Sequence, residues 1–455
     1  MALPSSPPEP PARGSRMPQP FDSALALESA APASAMPRLR VLVVLPMYGG
    51  SLPIGRYCVD ALRDLGHVVE TFEAPSFLGA FTALKDLKVT ADRLEYLENA
   101  FLQVVSQAVL AKVETFGPDL VLCLAQAPLN HQALKRLRRD NVATAMWFVE
   151  DHRVFTYWRA FAPFYDVFAV IQRDPLLEEL ASIGVRDALY LPMAALPSFH
   201  KPLELSPVDQ RRYGADVAFL GAGYPNRRVA FRQLVHLDFK IWGTEWDGEA
   251  LLARHVQQGG ARVSAEDSVK IYNASRINLN LHSSIQARTL VTGGDFVNPR
   301  TFELACIGAF QLVDRRTLMG ELFADDELAT FDSMDGLTEA IAHYLAHPEE
   351  RQAMAARARA RVLAEHTYQH RMRSLLDFIA QRRPGWPAPR TADAGLPADL
   401  PEDMRRDLAG LLDRLGLPAD AAFADVITAL RQRSGQLTPL ETSLLFLDEW
   451  RKQYL

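Results

Sequence analysis

Asp295-Phe-Val-Asn298-Pro299-Arg300-Thr301-Phe302-Glu303, running directly into Leu304-Ala-Cys-Ile-Gly308-Ala-Phe-Gln-Leu-Val313, decides how this chain is read. Pro299 disfavours helix for Asn298 before it and suits the first turn of a helix after it, so the run reads as loop, then helix. Leu304, Ala305 and Ile307 are spaced to pack that helix on a sheet. Gly308 ends it, and residues 309–313 read as the next strand, closed by Asp314. Two acids, Asp295 and Glu303, thus flank the entry to a helix at the mouth of an α/β unit, the edge where such sheets bind ligands.

The same alternation extends in both directions. Upstream, residues 38–46 form a continuous apolar run suited to a buried parallel strand, followed by Gly49-Gly50, a helix over 53–65 and a strand over 68–72. Helices near 92–115 and 129–139 alternate with strands at 120–124 and 143–149, and strands at 167–171 and 188–191 complete a first doubly wound sheet. Pro192, Pro197, Pro202 and Pro207 mark a linker, after which strands at 216–220, 239–243 and 277–281 restart the pattern. Beyond the opening run come a strand at 328–331 and helices at 336–346, 349–365 and 369–382. The expected domains are therefore 38–200 and 201–383, preceded by a Pro/Ala-rich arm over 1–37 that reads as disordered. A linker and helical extension occupy 384–455. Its Leu408, Leu411, Leu412 and Leu415, and the cap Thr438-Pro-Leu-Glu441 before Leu444 and Leu447, predict amphipathic helices docked on the body, with a partner-binding module as the alternative.

Composition narrows the classes of function. With 49 basic against 55 acidic residues and a net charge of −6, bulk electrostatics argue against nucleic-acid or anionic-membrane binding. Cys58, Cys123 and Cys306 form no Cys-x-x-Cys and read as buried, reduced thiols, which fits a cytoplasmic protein. No apolar run approaches the ~18 residues of a spanning helix. The sequence contains no Asp-x-Asp triplet, no Gly-x-Ser-x-Gly, no Walker phosphate loop and no His-Glu-x-x-His.

An acid, seven intervening residues and a glutamate, then small residues, glycine and an apolar strand, resemble the acidic signature of group 1 glycosyltransferases of the GT-B architecture. The wording from Asn298 to Gly308 looks similar to the branch related to the spore maturation protein CgeB. That family usually carries Glu at the first acidic position, where this chain has Asp295. The resemblance implies an α/β fold of two doubly wound, Rossmann-like domains facing a cleft, the second holding a nucleotide-diphosphate sugar and the first the acceptor. It also implies that the last helices of the second half return to brace the first domain.

Two further constellations belong to this picture. Leu220-Gly221-Ala-Gly223-Tyr-Pro-Asn226-Arg227-Arg228 places small residues and backbone N–H groups between a strand and a helix, as a diphosphate cradle requires. A dinucleotide fingerprint is disfavoured because Asn226 replaces the third glycine and no acid closes the next strand. A structural turn remains the alternative. Glu150-Asp151-His152-Arg153 sets a polar cluster just after a first-domain strand, where Asp151 or His152 is placed to orient an acceptor or act as a base.

Under the resemblance, Glu303 accepts hydrogen bonds from ribose hydroxyls, with a helix-start acid serving the helix dipole as the plainer reading. Asn298 and Arg300 join Gly221, Gly223 and Arg227 in binding the sugar donor, Asp295 touches the transferred sugar, and Arg228 stabilises the departing diphosphate. The expected activity is metal-independent, hexosyl-type and retaining transfer to an unknown acceptor, a protein, glycan or small molecule, with no cofactor beyond the sugar donor. The alternative is an inactive nucleotide-sugar-binding or partner-docking protein.

Overall fold

The computed structural model describes residues 36–287, 290, 294–388, 400–419, 421–433 and 435–454; the expected N-terminal arm falls, but for its last two residues, outside them. The first half runs β1 (Arg40–Val44), α1 (Ser51–Asp64), β2 (Val68–Phe72), α2 (Leu78–Lys85), α3 (Ala91–Phe116), β3 (Leu120–Leu124), α4 (His131–Arg139), β4 (Ala143–Phe148), α5 (Trp158–Phe161), β5 (Val167–Val170), α6 (Leu176–Ser182) and β6 (Ala188–Tyr190). Its six strands pair in the order β2-β1-β3-β4-β5-β6, all parallel. Every residue of β1, β3, β4 and β5 is buried, as expected for strands covered on both faces.

The second half runs α7 (Pro207–Tyr213), β7 (Val217–Leu220), α8 (Pro225–Phe231), β8 (Phe239–Trp242), α9 (Ala265–Ala274), β9 (Ile277–Asn280), α10 (Pro299–Ile307), β10 (Gln311–Asp314), α11 (Met319–Leu322), β11 (Ala329–Phe331), α12 (Met334–Ala346), α13 (Pro348–Glu365) and α14 (Tyr368–Arg382). Its parallel sheet has the order β11-β10-β9-β7-β8. Both sheets therefore reverse direction between the first and third strands of their half, β1/β3 and β7/β9, and open a crevice there at the carboxyl edge. All eleven expected strands are present, within one or two residues of their expected bounds. The periodic reading left α2, α5, α6, α7 and α11 unassigned, because helices of four to eight residues carry too few turns to show a 3.6-residue period.

α14 leaves the second half and packs on α1. Arg371 on α14 donates to the Pro192 and Met193 carbonyls, and Arg383 pairs with Asp166 at 2.8 Å. The brace implied by the resemblance is thus present. α15 (Glu402–Arg414), α16 (Phe423–Gln432) and α17 (Pro439–Tyr454) enclose a small core of Leu408, Leu411, Leu412, Leu417, Val426, Ile427 and Leu430. They dock through α16: Asp425 meets Arg40 of β1 at 2.6 Å, and Gln432 Nε2 donates to the Val69 carbonyl of edge strand β2. Thr438 and Glu441 form the expected cap, but Leu447 is 49% exposed and does not join the packed face. Among the described residues no helix is long and apolar enough to cross a membrane.

Candidate functional site at the meeting of two sheet edges

Loops at the carboxyl edges of the two sheets touch. Gln172 and Arg173, just after β5, hydrogen-bond both carboxylate oxygens of Asp295 in the segment between β9 and α10, at 3.1 and 2.8 Å. Arg173 also pairs with Glu321 of α11 at 2.6 Å.

Asn298 caps α10, its Oδ1 accepting from the Thr301 backbone N–H at 3.1 Å, while its Nδ2 donates to Asn280 Oδ1 at 2.8 Å. Its own N–H donates to His282 Nε2, and His282 Nδ1 lies 2.6 Å from Asp314 Oδ1, so the imidazole is neutral with its proton on the Asp314 side. Burial pushes the His282 pKa down, and the His282 and Arg316 contacts hold the Asp314 carboxyl below its ordinary value despite burial. Asn280, Thr301 and Gln311 complete this buried network. Asn298 is therefore a structural cap, not a free ligand-binding amide, because each of its side-chain ends is already bonded.

The glycine loop is corrected in the same way. Gly221 and Gly223 donate their N–H groups to the Trp242 and Thr244 carbonyls, both at 2.9 Å, extending the β7–β8 pairing rather than facing a cleft. The reason these positions are glycine is contact: a Cβ on Gly223 would stand 2.0 Å from the Glu245 carbonyl oxygen, and one on Gly243 would stand 2.6 Å from that of Gly221. Arg228 fastens the same two loops, donating to the carbonyls of Gly223, Glu245 and Asp247. It is not a free phosphate cation. Arg228→Ala is accordingly expected to lower stability by roughly 1–3 kcal/mol through carbonyls left without donors, measured as a shift in the denaturation midpoint at constant slope. An unchanged midpoint would return Arg228 to the list of groups free for ligand.

Two other cations remain. Arg227 is buried and donates to the Leu281 and Ala222 carbonyls, and Arg300 donates one bond, Nε to Tyr272 Oη at 3.1 Å. Both guanidinium groups lie against the Phe219 ring, at 5.0 and 5.5 Å from its centroid. Burial, with Arg300 as the next cause, lowers Arg227 to about 9. Among the described residues neither forms an ion pair, so two like charges share the crevice without a carboxylate of their own.

Glu303, one turn along α10, lies within reach of the Arg300 charge. Its side chain is 18% exposed, and no described donor hydrogen-bonds its carboxylate; His200 Nε2 stands 3.8 Å away. His200 Nδ1 accepts from the Leu196 N–H, so its proton sits on Nε2, and burial lowers its pKa to about 4. Desolvation raises Glu303 to about 7, with Arg300 opposing. Tyr57 of α1, whose ring meets those of Phe199, His200 and Tyr368, closes the first-domain side. A carboxylate in this setting is a strong hydrogen-bond acceptor without a donor among the described residues, and ligand hydroxyls can supply one.

On the first-domain side, Ser51 Oγ donates to Glu150 at 2.8 Å, and Asp151 Oδ1 accepts from the Arg153 N–H. His152 is buried, with its N–H and Nδ1 both on Gln172 Oε1. The structure thus joins Asp151, His152 and Asp295 at one edge, and Arg227, Arg300 and Glu303 at the neighbouring crevice. Gln172, His200, Tyr57 and Tyr272 were not singled out from sequence. Gln172 alone carried a signal, its place directly after a strand on the ligand-binding edge. One group of described residues has metal-ligand spacing, His343, His347 and Glu350, and it lies at the junction of α12 and α13, outside this cluster.

Comparison with known proteins bears on the fold. Residues 205–377 match the model of a family described as glycosyl transferase-like. The chain is 26% identical over 257 residues to Spore protein CgeB of Bacillus subtilis (strain 168), covering 54% of this chain and 78% of that protein. Sucrose-phosphate synthase from Thermosynechococcus elongatus superposes with a TM-score of 0.51 at 13% identity, over 76% of this chain and 99% of that one. Anabaena Alr3699/HepE in complex with UDP and glucose does so with a TM-score of 0.51 at 11% identity, over 76% and 100%. Sheet order, family model and relative converge: the chain has the GT-B fold, carries a match to the glycosyl transferase-like family over residues 205–377, and is similar to Spore protein CgeB.

Proposed function

We propose that this protein transfers a hexosyl group from a nucleotide-diphosphate sugar to an acceptor held on the first-domain side, a protein, glycan or small molecule. The observation that carries the reading is Glu303, a desolvated carboxylate with no hydrogen bond from a described residue, set beside Arg300. Glu303 accepts from ribose hydroxyls, and Arg300 with buried Arg227 supplies the field that stabilises the departing diphosphate. Asp151 and His152 face the acceptor. HepE, a structural neighbour, is seen with UDP-glucose, which makes uridine nucleotides the first to try.

Thermal shift against a panel of nucleotide diphosphates tests the reading, since a ligand at ~100 times its dissociation constant adds about 2.7 kcal/mol of stability. No shift with any of them would remove it. Transfer is expected to proceed with retention at the anomeric carbon and to survive EDTA, the leaving-group charge being met by arginines. Complete loss in EDTA, restored by Mn²⁺ or Mg²⁺, would contradict that mechanism; the anomer formed, read by NMR, tests retention.

A further inference from the structure

His152 and Asp295 come from different sheets, yet one side chain joins them. Gln172 is 3% exposed, and its Oε1 receives both the His152 backbone N–H at 3.0 Å and His152 Nδ1 at 2.9 Å. A backbone N–H only donates, so the shared atom is the amide oxygen, and the second bond to it requires the proton on His152 Nδ1. Nε2 is then the bare nitrogen of the ring. The other end of the amide, Nε2–H, donates to Asp295 Oδ1 at 3.1 Å, while Asp295 Oδ2 accepts from the Arg173 N–H at 2.8 Å. Trp158 Nε1 donates to the His152 carbonyl and holds the residue from behind. Every donor and acceptor in this chain has one consistent direction.

We propose that Gln172 is a positioning residue for the transfer. It fixes His152 in the tautomer whose Nε2 can accept a proton, and it ties that imidazole to Asp295, so the acceptor-side group is set only while the two sheet edges are engaged. Asp295 serves as the anchor of this latch, which gives its carboxylate a task other than touching the transferred sugar. The proposal rests on the glycosyl-transfer reading for its catalytic consequence; the tautomer itself does not.

The direction of the Gln172–Asp295 bond supplies the test. Gln172→Glu sets two carboxylates against each other. Asp295→Asn sets an amide NH₂ against either the Gln172 NH₂ or the Arg173 N–H. In the double variant the roles are exchanged: the new carboxylate at 172 accepts from His152 and from the new amide at 295, whose oxygen still accepts from Arg173. With UDP-glucose as probe, each single change is expected to lower kcat by about 10- to 100-fold with KM altered much less, and the double variant to recover most of the loss. A double variant no better than the poorer single one would overturn the latch. Imidazole ¹⁵N shifts, assigned by comparison with His152→Gln, are expected to show Nδ1–H in the wild type and loss of that preference in Gln172→Ala. An Nε2–H tautomer in the wild type overturns the proposal without any turnover, whereas a wild type that binds no nucleotide counts against the functional reading and leaves the tautomer measurement to decide this one.

Discussion

Glu303→Gln is expected to make the unliganded protein more stable at pH 8 while removing most of its affinity for the sugar donor. The two effects have one cause. Burial raises the Glu303 carboxyl from 4.5 to about 7, with Arg300 only partly offsetting it. A folded-state pKa above the unfolded one means that the native protein binds the extra proton between those values, so stability falls as pH rises from about 4.5 to 7 and stays lowered above. At ~1.4 kcal/mol per pKa unit the penalty is on the order of 3 kcal/mol at pH 8. Glutamine carries no charge to desolvate, so its melting temperature should exceed that of the wild type at pH 8 and match it near pH 4.5. In the liganded state the difference shrinks toward zero, because a charge-assisted bond to a hydroxyl is worth roughly 1.5–3 kcal/mol, or about 10- to 150-fold in affinity. Scanning calorimetry at both pH values and titration with the cognate nucleotide give the answer. Equal stability and equal affinity would leave Glu303 as a helix-start acid.

The second large effect is expected far from the cleft. Arg40 and Asp425 meet at 2.6 Å with side chains 8% and 12% exposed, and Arg40 also donates to the Phe116 carbonyl and covers the Phe116 ring. Asp425→Ala leaves a desolvated guanidinium without that carboxylate, a change that costs about 3–5 kcal/mol in buried pairs. The other partners of Arg40 place the expected loss near 3 kcal/mol. It should appear in the urea midpoint, together with earlier protease cleavage in α15–α17. Replacing both residues by apolar ones, Arg40→Met with Asp425→Leu, should recover most of the stability, since the desolvation penalty disappears with the charge. Wild-type stability in Asp425→Ala would indicate that the helical extension is only loosely attached and free to serve as a partner-binding module.

Much of the fold was legible in the sequence because parallel strands covered on both faces must be continuously apolar. Residues 120–124 and 143–148 can be read as strands with no neighbour in view, and the observed elements there are wholly buried. Helices with a clear cap, such as α10 after Asn298-Pro299, were equally plain. Short α7 and α11 were not, for want of turns. The sequence also placed the candidate residues Glu303, Arg227, Arg300, Asp151, His152 and Asp295 at sheet edges, since position at a sheet edge is a local property.

The sequence by itself determined two doubly wound sheets, the edge at which ligands meet them and the residue types waiting there. Only the tertiary structure decided which of those residues are free. Gly221, Gly223, Asn298 and Arg228 looked available because nothing local claims their hydrogen-bonding groups; Thr244, Asn280 and the Glu245 carbonyl, contributed by other loops and strands, do. Glu303 stood out from its place at a sheet edge, but its desolvation came from Tyr57 and His200, packed beside it from other elements. A hydrogen-bonding group is claimed or left open by partners distant in sequence, and desolvation is a sum over all of them, so neither quantity is written in any one stretch of chain.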